Sequence, residues 1–238
     1  MSTETPLPTE IPVDVVNVFT NEEGGFGNPL GLIRSTPATR GREQELATEL
    51  GFSETVFVDE LIESDAVGRV ATIRIFTPVH ELPFAGHPCV GTAWWLAQQG
   101  LPVVSLRVPA GDVAVRYDGG LSWITGRAEW APEFEWHELA TAGEVEALDP
   151  VAFATGKHYV WAWVDETAGH LRSRMFAPEF GIAEDEATGA AAVRITAMLG
   201  RDLVIDQGAG SRLVTRVEGE GRVSVGGGSV SAEAVVLC

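Results

Sequence analysis

Apolar and polar positions alternate in short runs along most of this chain. Val13–Thr20, Leu30–Arg34, Thr55–Val58, Val70–Phe76, Val103–Val108, Val113–Tyr117, Leu121–Ile124, Tyr159–Val164 and Arg174–Phe176 are rich in Val, Ile and aromatic residues. Gly, Pro, Asn or Asp bounds each of them, the pattern of half-buried strands. Arg42–Leu50 has a different period, with Leu46, Ala47 and Leu50 on one face, and is predicted to form a polar amphipathic helix. Two further stretches, "HPCVGTAWWLA" and "ATGAAAVRITA", are apolar nearly all round, so as helices they must be buried on every side. "RAEWAPEFEWHE" (127–138) breaks the strand rhythm with a proline and several acids and reads as a linker between two halves.

The halves resemble each other. When 73–97 is laid on 173–197, Arg74 meets Arg174, Phe76 meets Phe176, Pro78 meets Pro178 and Leu82 meets Ile182. Each copy reads as strand, Phe-x-Pro exit, loop and apolar helix, which points to internal duplication. The expected architecture is a disordered tail over 1–12, an N-terminal lobe over 13–128 and a shortened C-terminal lobe over 129–238. The last strand of the second lobe is free to return to the first.

Composition narrows the function. The net charge is −18, with only 16 Lys and Arg, which argues against a nucleic-acid-binding surface. The two cysteines, Cys89 and Cys238, make no disulfide framework. The five histidines (80, 87, 137, 158 and 170) show no tight metal-ligand spacing, so no metal is expected. The first ten residues have neither a basic nor an apolar signal region, and no apolar run is long enough for a membrane span. A cytoplasmic protein without membrane contact is the expectation.

Candidate chemistry lies where the two apolar helices begin. Pro88 suits the first helical position, and Thr188 or Asp185 can cap the second helix. Free N–H groups and the positive dipole end favour an anion there, and Gly86, Gly189 and Ala190 let a ligand approach the backbone. In "LGFSETVFV", Glu54 precedes an apolar strand, and a carboxylate beside apolar surface is suited to exchanging protons near neutrality. On spacing alone, an exposed strand-edge glutamate is the better explanation.

The motifs "NVFTNEEGGFGNPLGLI", "LGFSETVFV", "RIFTPVHELPFAGHPCVGTA", "MFAPEFGIAEDEATGAAA" and "IDQGAGSR" together resemble the phenazine-biosynthesis PhzF-like family, related to the diaminopimelate epimerases. The resemblance implies an α+β, diaminopimelate epimerase-like fold of two pseudo-symmetric lobes, each a curled β-sheet around a central helix. It also implies a site between the lobes, a homodimer, no cofactor, and isomerisation of a small carboxylate such as a dihydro-hydroxyanthranilate. By motif, Glu54 corresponds to the family's proton carrier, and His87 and Asp185 to its catalytic assistants. Gly86, Gly189, Ala190, Thr188, Ser53 and Asn28 are the expected substrate-binding positions. Ala190 stands where the phenazine-synthesis branch often has serine. Two other functions stay open on sequence: a thiol epimerase using Cys89, which lacks a second thiol in "EDEATGAAA", and a small-carboxylate-binding protein without catalysis.

Overall fold

In the computed structural model, residues 10–64 and 68–237 are described. The first half comprises β1 (Ile11–Thr20), β2 (Asn28–Arg34), α1 (Glu43–Leu50), β3 (Glu54–Ser64), β4 (Gly68–Phe76), β5 (Glu81–Leu82), α2 (Gly86–Gln98), β6 (Ser105–Val108), β7 (Gly111–Asp118) and β8 (Leu121–Arg127). The second half comprises β9 (Glu135–Glu138), α3 (Ala142–Glu146), β10 (His158–Asp165), β11 (His170–Ala177), β12 (Ile182–Asp185), α4 (Gly189–Leu199), β13 (Leu203–Gln207), β14 (Ser211–Gly219), β15 (Arg222–Ser231) and β16 (Val235–Leu237).

The strands follow the order β16-β1-β2-β3-β4-β6-β7-β8-β15-β14-β13-β11-β10-β9, and β15 additionally pairs with β1. That extra pairing closes the N-terminal strands into a ring. Arg222–Gly227 lie against β8, and Gly228–Ser231 then cross to β1. Glycine makes the crossing possible. A Cβ on Gly226 would sit 2.4 Å from the Trp123 ring, and one on Gly227 would sit 2.3 Å from Phe19. This segment is a strand although glycine is a poor strand former, because the large rings opposite occupy the space of its missing side chains.

Helix α2 fills the first curl and α4 the second. Both are buried along most of their length, as apolar faces on all sides require. Gly91 allows α2 to approach the sheet closely, since a Cβ there would lie 2.6 Å from both Leu30 and Val18 side-chain atoms. The duplicated arginines perform matching tasks. Arg74 grips Asp59 through Nε (2.7 Å) and Nη2 (2.9 Å), and Arg174 grips Glu184 at 2.7 and 2.6 Å. Each guanidinium also lies over its matched ring, Phe76 at 5.8 Å and Phe176 at 4.9 Å. The α+β class and the two curled lobes therefore stand as expected.

Several expectations need correction. The expected tail over 1–12 is too long: Ile11 and Pro12 belong to β1, paired with Leu237 and Val236, while residues 1–9 lie outside the described residues, as does Cys238. The stretch 127–138 is not a free linker. Arg127 ends β8, a short 3-10 turn spans Ala128–Trp130, and Glu135–Glu138 form β9, parallel to β10. Ala131 and Phe134 are buried, and Arg194 of α4 donates to the Ala131 carbonyl at 2.8 Å. The apolar residues between the acids decide this outcome, because leaving them in water would forfeit their burial. Pro88 occupies the third helical position, with Ala85 as the N-cap; there too the missing N–H leaves no intrahelical bond unmade.

Candidate active site

The starts of α2 and α4 meet. A Cβ on Gly86 would lie 2.8 Å from the Gly189 carbonyl carbon, and one on Gly189 would lie 2.6 Å from the His87 backbone nitrogen. Two positive dipole ends thus converge, an arrangement that favours negative charge beside it. The residues around this contact supply two carboxyl groups. Glu54, the first residue of β3, and Asp185, the last of β12, line one cleft together with Thr188 and Ala190.

The polar network is connected. Ser53 Oγ donates to Asn28 Oδ1 at 3.0 Å, which fixes the amide so that its Nδ2 faces Asp185 Oδ1 (2.6 Å) and the Ala187 carbonyl (3.2 Å). Thr188 Oγ1 donates to Asp185 Oδ2 at 2.6 Å. Thr188, not Asp185, is the N-cap residue of α4, but its hydroxyl is spent on the carboxylate and no side-chain cap bond forms. Gln207 Nε2 completes the far side, reaching Thr188 Oγ1 at 2.8 Å and the Asp185 carbonyl at 3.0 Å.

Histidine 87 decides how protons sit. Its Nε2 lies 3.0 Å from the Asn28 carbonyl oxygen, which only accepts, so Nε2 carries a hydrogen. In a neutral imidazole Nδ1 then holds a lone pair. Its 2.9 Å contact with Glu54 Oε2 therefore needs one proton between the two groups, on the carboxyl or on the ring. Glu54 and His87 together hold one mobile proton, with the ring buried and the carboxyl 14% exposed towards the cleft.

Asp185 is the other titratable group of the cleft. Burial pushes its carboxyl up to about 7, and the neighbouring Glu54 charge pushes the same way; the bonds from Thr188 and Asn28 and the nearby His87 oppose this. The folded protein thus keeps a proton that the unfolded chain releases near the ordinary value of 3.8. The stability tied to that proton is fully present below 3.8 and is lost as pH rises towards about 7. Asp185→Asn removes this loss. In paired thermal melts, the variant is expected to gain on the wild-type protein by on the order of a few kcal/mol at pH 8, with the difference smallest near pH 4.

The cleft walls are apolar: Leu82, Phe84, Pro132, Phe134, Met175 and Ile182. The duplicated pair Leu82 and Ile182 faces it from the two lobes. The free space is about 40 Å³, so a ring-sized ligand fits only when the walls move apart. Cys89 takes no part. It is fully buried on α2, and burial pushes its thiol up to about 12, so no thiolate nucleophile is available near neutrality. Cys89→Ala is expected to leave turnover unchanged in a steady-state assay, while lowering stability by about 1 kcal/mol.

All the residues expected from sequence gather here, in different capacities. Glu54, Asp185, Thr188 and Ala190 line the cleft; Gly86 and Gly189 form the helix contact; Asn28, Ser53 and His87 stand behind, holding the carboxyls. Gln207 and Phe134 carry no mark in the sequence. "IDQGAGSR" contains the first, but nothing in its spacing marks the glutamine, and the second lay in the supposed linker.

The sequence profile of the phenazine biosynthesis-like protein family matches residues 16–149 and 156–225. The chain belongs to this family. It is 30% identical over 273 aligned residues to a trans-2,3-dihydro-3-hydroxyanthranilate isomerase of Pseudomonas aeruginosa, covering 92% of this chain and 96% of that one. The enzyme of the same name from Pseudomonas chlororaphis is 31% identical, with 81% of each chain covered. Among solved structures, a PhzF-family protein of Bacillus anthracis superposes with a TM-score of 0.74 at 20% identity, covering 96% of this chain and 99% of its own. A hydroxyproline epimerase of Agrobacterium vitis follows the same fold with a TM-score of 0.62 at 12% identity, covering 98% and 94%. The chain is thus a PhzF-type isomerase family member on an epimerase-like fold. Among the described residues, no helix is long and apolar enough to cross a membrane.

Proposed function

We propose that this chain is a cofactor-independent isomerase that moves a proton between carbons of a small, ring-bearing carboxylate. Glu54 is the group that removes and returns that proton. The observation that carries the reading is the Glu54–His87 pair: one mobile proton, held at 2.9 Å, with the carboxyl at the cleft and the ring anchored to the Asn28 carbonyl. A carboxylate so supported accepts a proton from a substrate carbon, while the C–H electron pair passes into the adjacent unsaturated system. Delivery of a proton from that carboxyl, exchangeable with solvent in between, to another carbon restores Glu54, so no oxidant or reductant is consumed. Asp185, whose carboxyl burial pushes up to about 7, faces the same space and exchanges hydrogen bonds with a polar substituent of the substrate. The paired starts of α2 and α4 favour the substrate's carboxylate, and the apolar walls favour its ring.

Trans-2,3-dihydro-3-hydroxyanthranilate, named for the Pseudomonas relatives, carries a ring and a carboxylate of this kind and is the substrate to offer first. Incubated with the protein in buffer without added cofactor, it is expected to convert to an isomer of unchanged mass, followed by proton NMR. Binding without conversion would instead make the chain a carboxylate-binding protein.

A further inference from the structure

Outside the cleft, the structure assembles a group that the sequence keeps apart. Among the described residues, Glu135, His137 and His158 bring one ligand atom each to within 4.8 Å of the others. His137 and His158 are 21 positions apart in the chain. The parallel pairing of β9 with β10 makes them neighbours: His158 stands opposite Glu135 and Val160 opposite His137, so alternation puts all three side chains on one face.

The protonation of the histidines follows from their partners. His158 Nε2 lies 2.6 Å from the Thr155 carbonyl, an acceptor only, so Nε2 carries the hydrogen. In the neutral ring, Nδ1 then presents a lone pair, and it points at His137 Nε2 (3.1 Å) and Glu135 Oε2 (3.5 Å). His137 Nε2–H donates to that lone pair, and an imidazole whose remote N–H is anchored to a carbonyl presents its other nitrogen as metal-binding histidines do once an ion displaces that hydrogen. Two of the three separations match an ion directly: ligand atoms at the usual distance from a tetrahedral zinc ion are about 3.3 Å apart, close to the 3.1 and 3.5 Å here, and the exposed Glu135 side chain is free to adjust the third. The Phe153 ring braces both imidazoles, with centroids 4.9 Å from His158 and 6.4 Å from His137, and itself stacks on Phe176 at 4.3 Å.

We propose that Glu135, His137 and His158 form a binding site for a divalent ion of the zinc class, clipping the edge strand β9 to β10. Two imidazole nitrogens and one carboxylate oxygen suit Zn²⁺ and its first-row neighbours, whereas Mg²⁺ and Ca²⁺ require more oxygen ligands. The fourth position is left to water. On the opposite face of the same strands, Trp136 packs edge-on against Tyr159 at 5.4 Å and Phe134 against Trp136 at 5.5 Å. Phe134 is a wall of the cleft, so an ion here fixes the strand that carries that wall.

The test uses the full chain without an affinity tag, titrated with Co²⁺ as a spectroscopic stand-in for Zn²⁺. One Co²⁺ per chain is expected, with the intense visible bands of a four- or five-coordinate site, lost when Zn²⁺ is added. His137→Gln and His158→Gln should each weaken binding by about tenfold or more. Glu135→Gln, an exposed change that leaves packing intact, should also weaken it. His170→Gln, at a histidine paired with Asp206 elsewhere, should bind as the wild-type protein does. Absence of a saturable one-to-one Co²⁺ spectrum would overturn the proposal. So would a spectrum unchanged in Glu135→Gln and in whichever histidine variants retain the wild-type circular dichroism.

Discussion

Glu54→Gln is expected to lower kcat/KM by about 10²–10⁴-fold while leaving the fold and its melting temperature nearly unchanged. The reason is local. Glutamine keeps the shape of the side chain and a polar contact with His87 Nδ1, so the network of Asn28, Ser53 and Asp185 loses little of its support. It cannot hold a transferable proton, so a bond to a substrate carbon has no acceptor in reach. Steady-state kinetics beside a thermal melt separate the two effects. A variant that loses activity and stability together would assign Glu54 a structural task instead.

The second large effect belongs to a residue without a side chain. Gly86→Ala places a methyl group 2.8 Å from the Gly189 carbonyl carbon and 3.0 Å from its Cα, and backbone cannot swing aside as a flexible side chain would. The helix starts must separate, at about 1–3 kcal/mol of overpacking strain. Because β12 and α4 carry Asp185 and Thr188 while α2 carries His87, the separation also pulls the two halves of the cleft out of register. A displacement of about 1 Å at such a site lowers turnover about 10²-fold. Melting temperature and kcat/KM should therefore fall together. Wild-type values for both would show that the close approach of the helices is dispensable.

The duplicated unit was legible because identical tasks demand identical residues. Arg74 and Arg174 each brace an outer face, Phe76 and Phe176 each lie beneath an arginine, and Leu82 and Ile182 each face the cleft. The apolar helices were legible too, since nothing but full burial accommodates them. The proton-holding pair was not. Glu54 and His87 are 33 positions apart, Asn28 and Asp185 are 157 apart, and no local pattern connects them; family motifs named the residues, and only the fold shows who holds whom. Strand β9 escaped notice because Pro132 and its acidic neighbours imitate a linker, while the burial of Phe134 depends on a partner far along the chain. Strand β15 was hidden for a similar reason, its glycines being suited to the Trp123 and Phe19 rings and not to any local preference. His137 and His158 likewise meet only through strand register.

One measurement tests directly whether Glu54 carries the proton. Substrate turned over in D₂O and sampled before completion should show deuterium at a single ring carbon with the wild-type protein. With Glu54→Gln at equal concentration, that incorporation should be about 10²-fold slower or slower still. Deuterium entering at the wild-type rate in Glu54→Gln would contradict the assignment and move the proton to another group of the cleft.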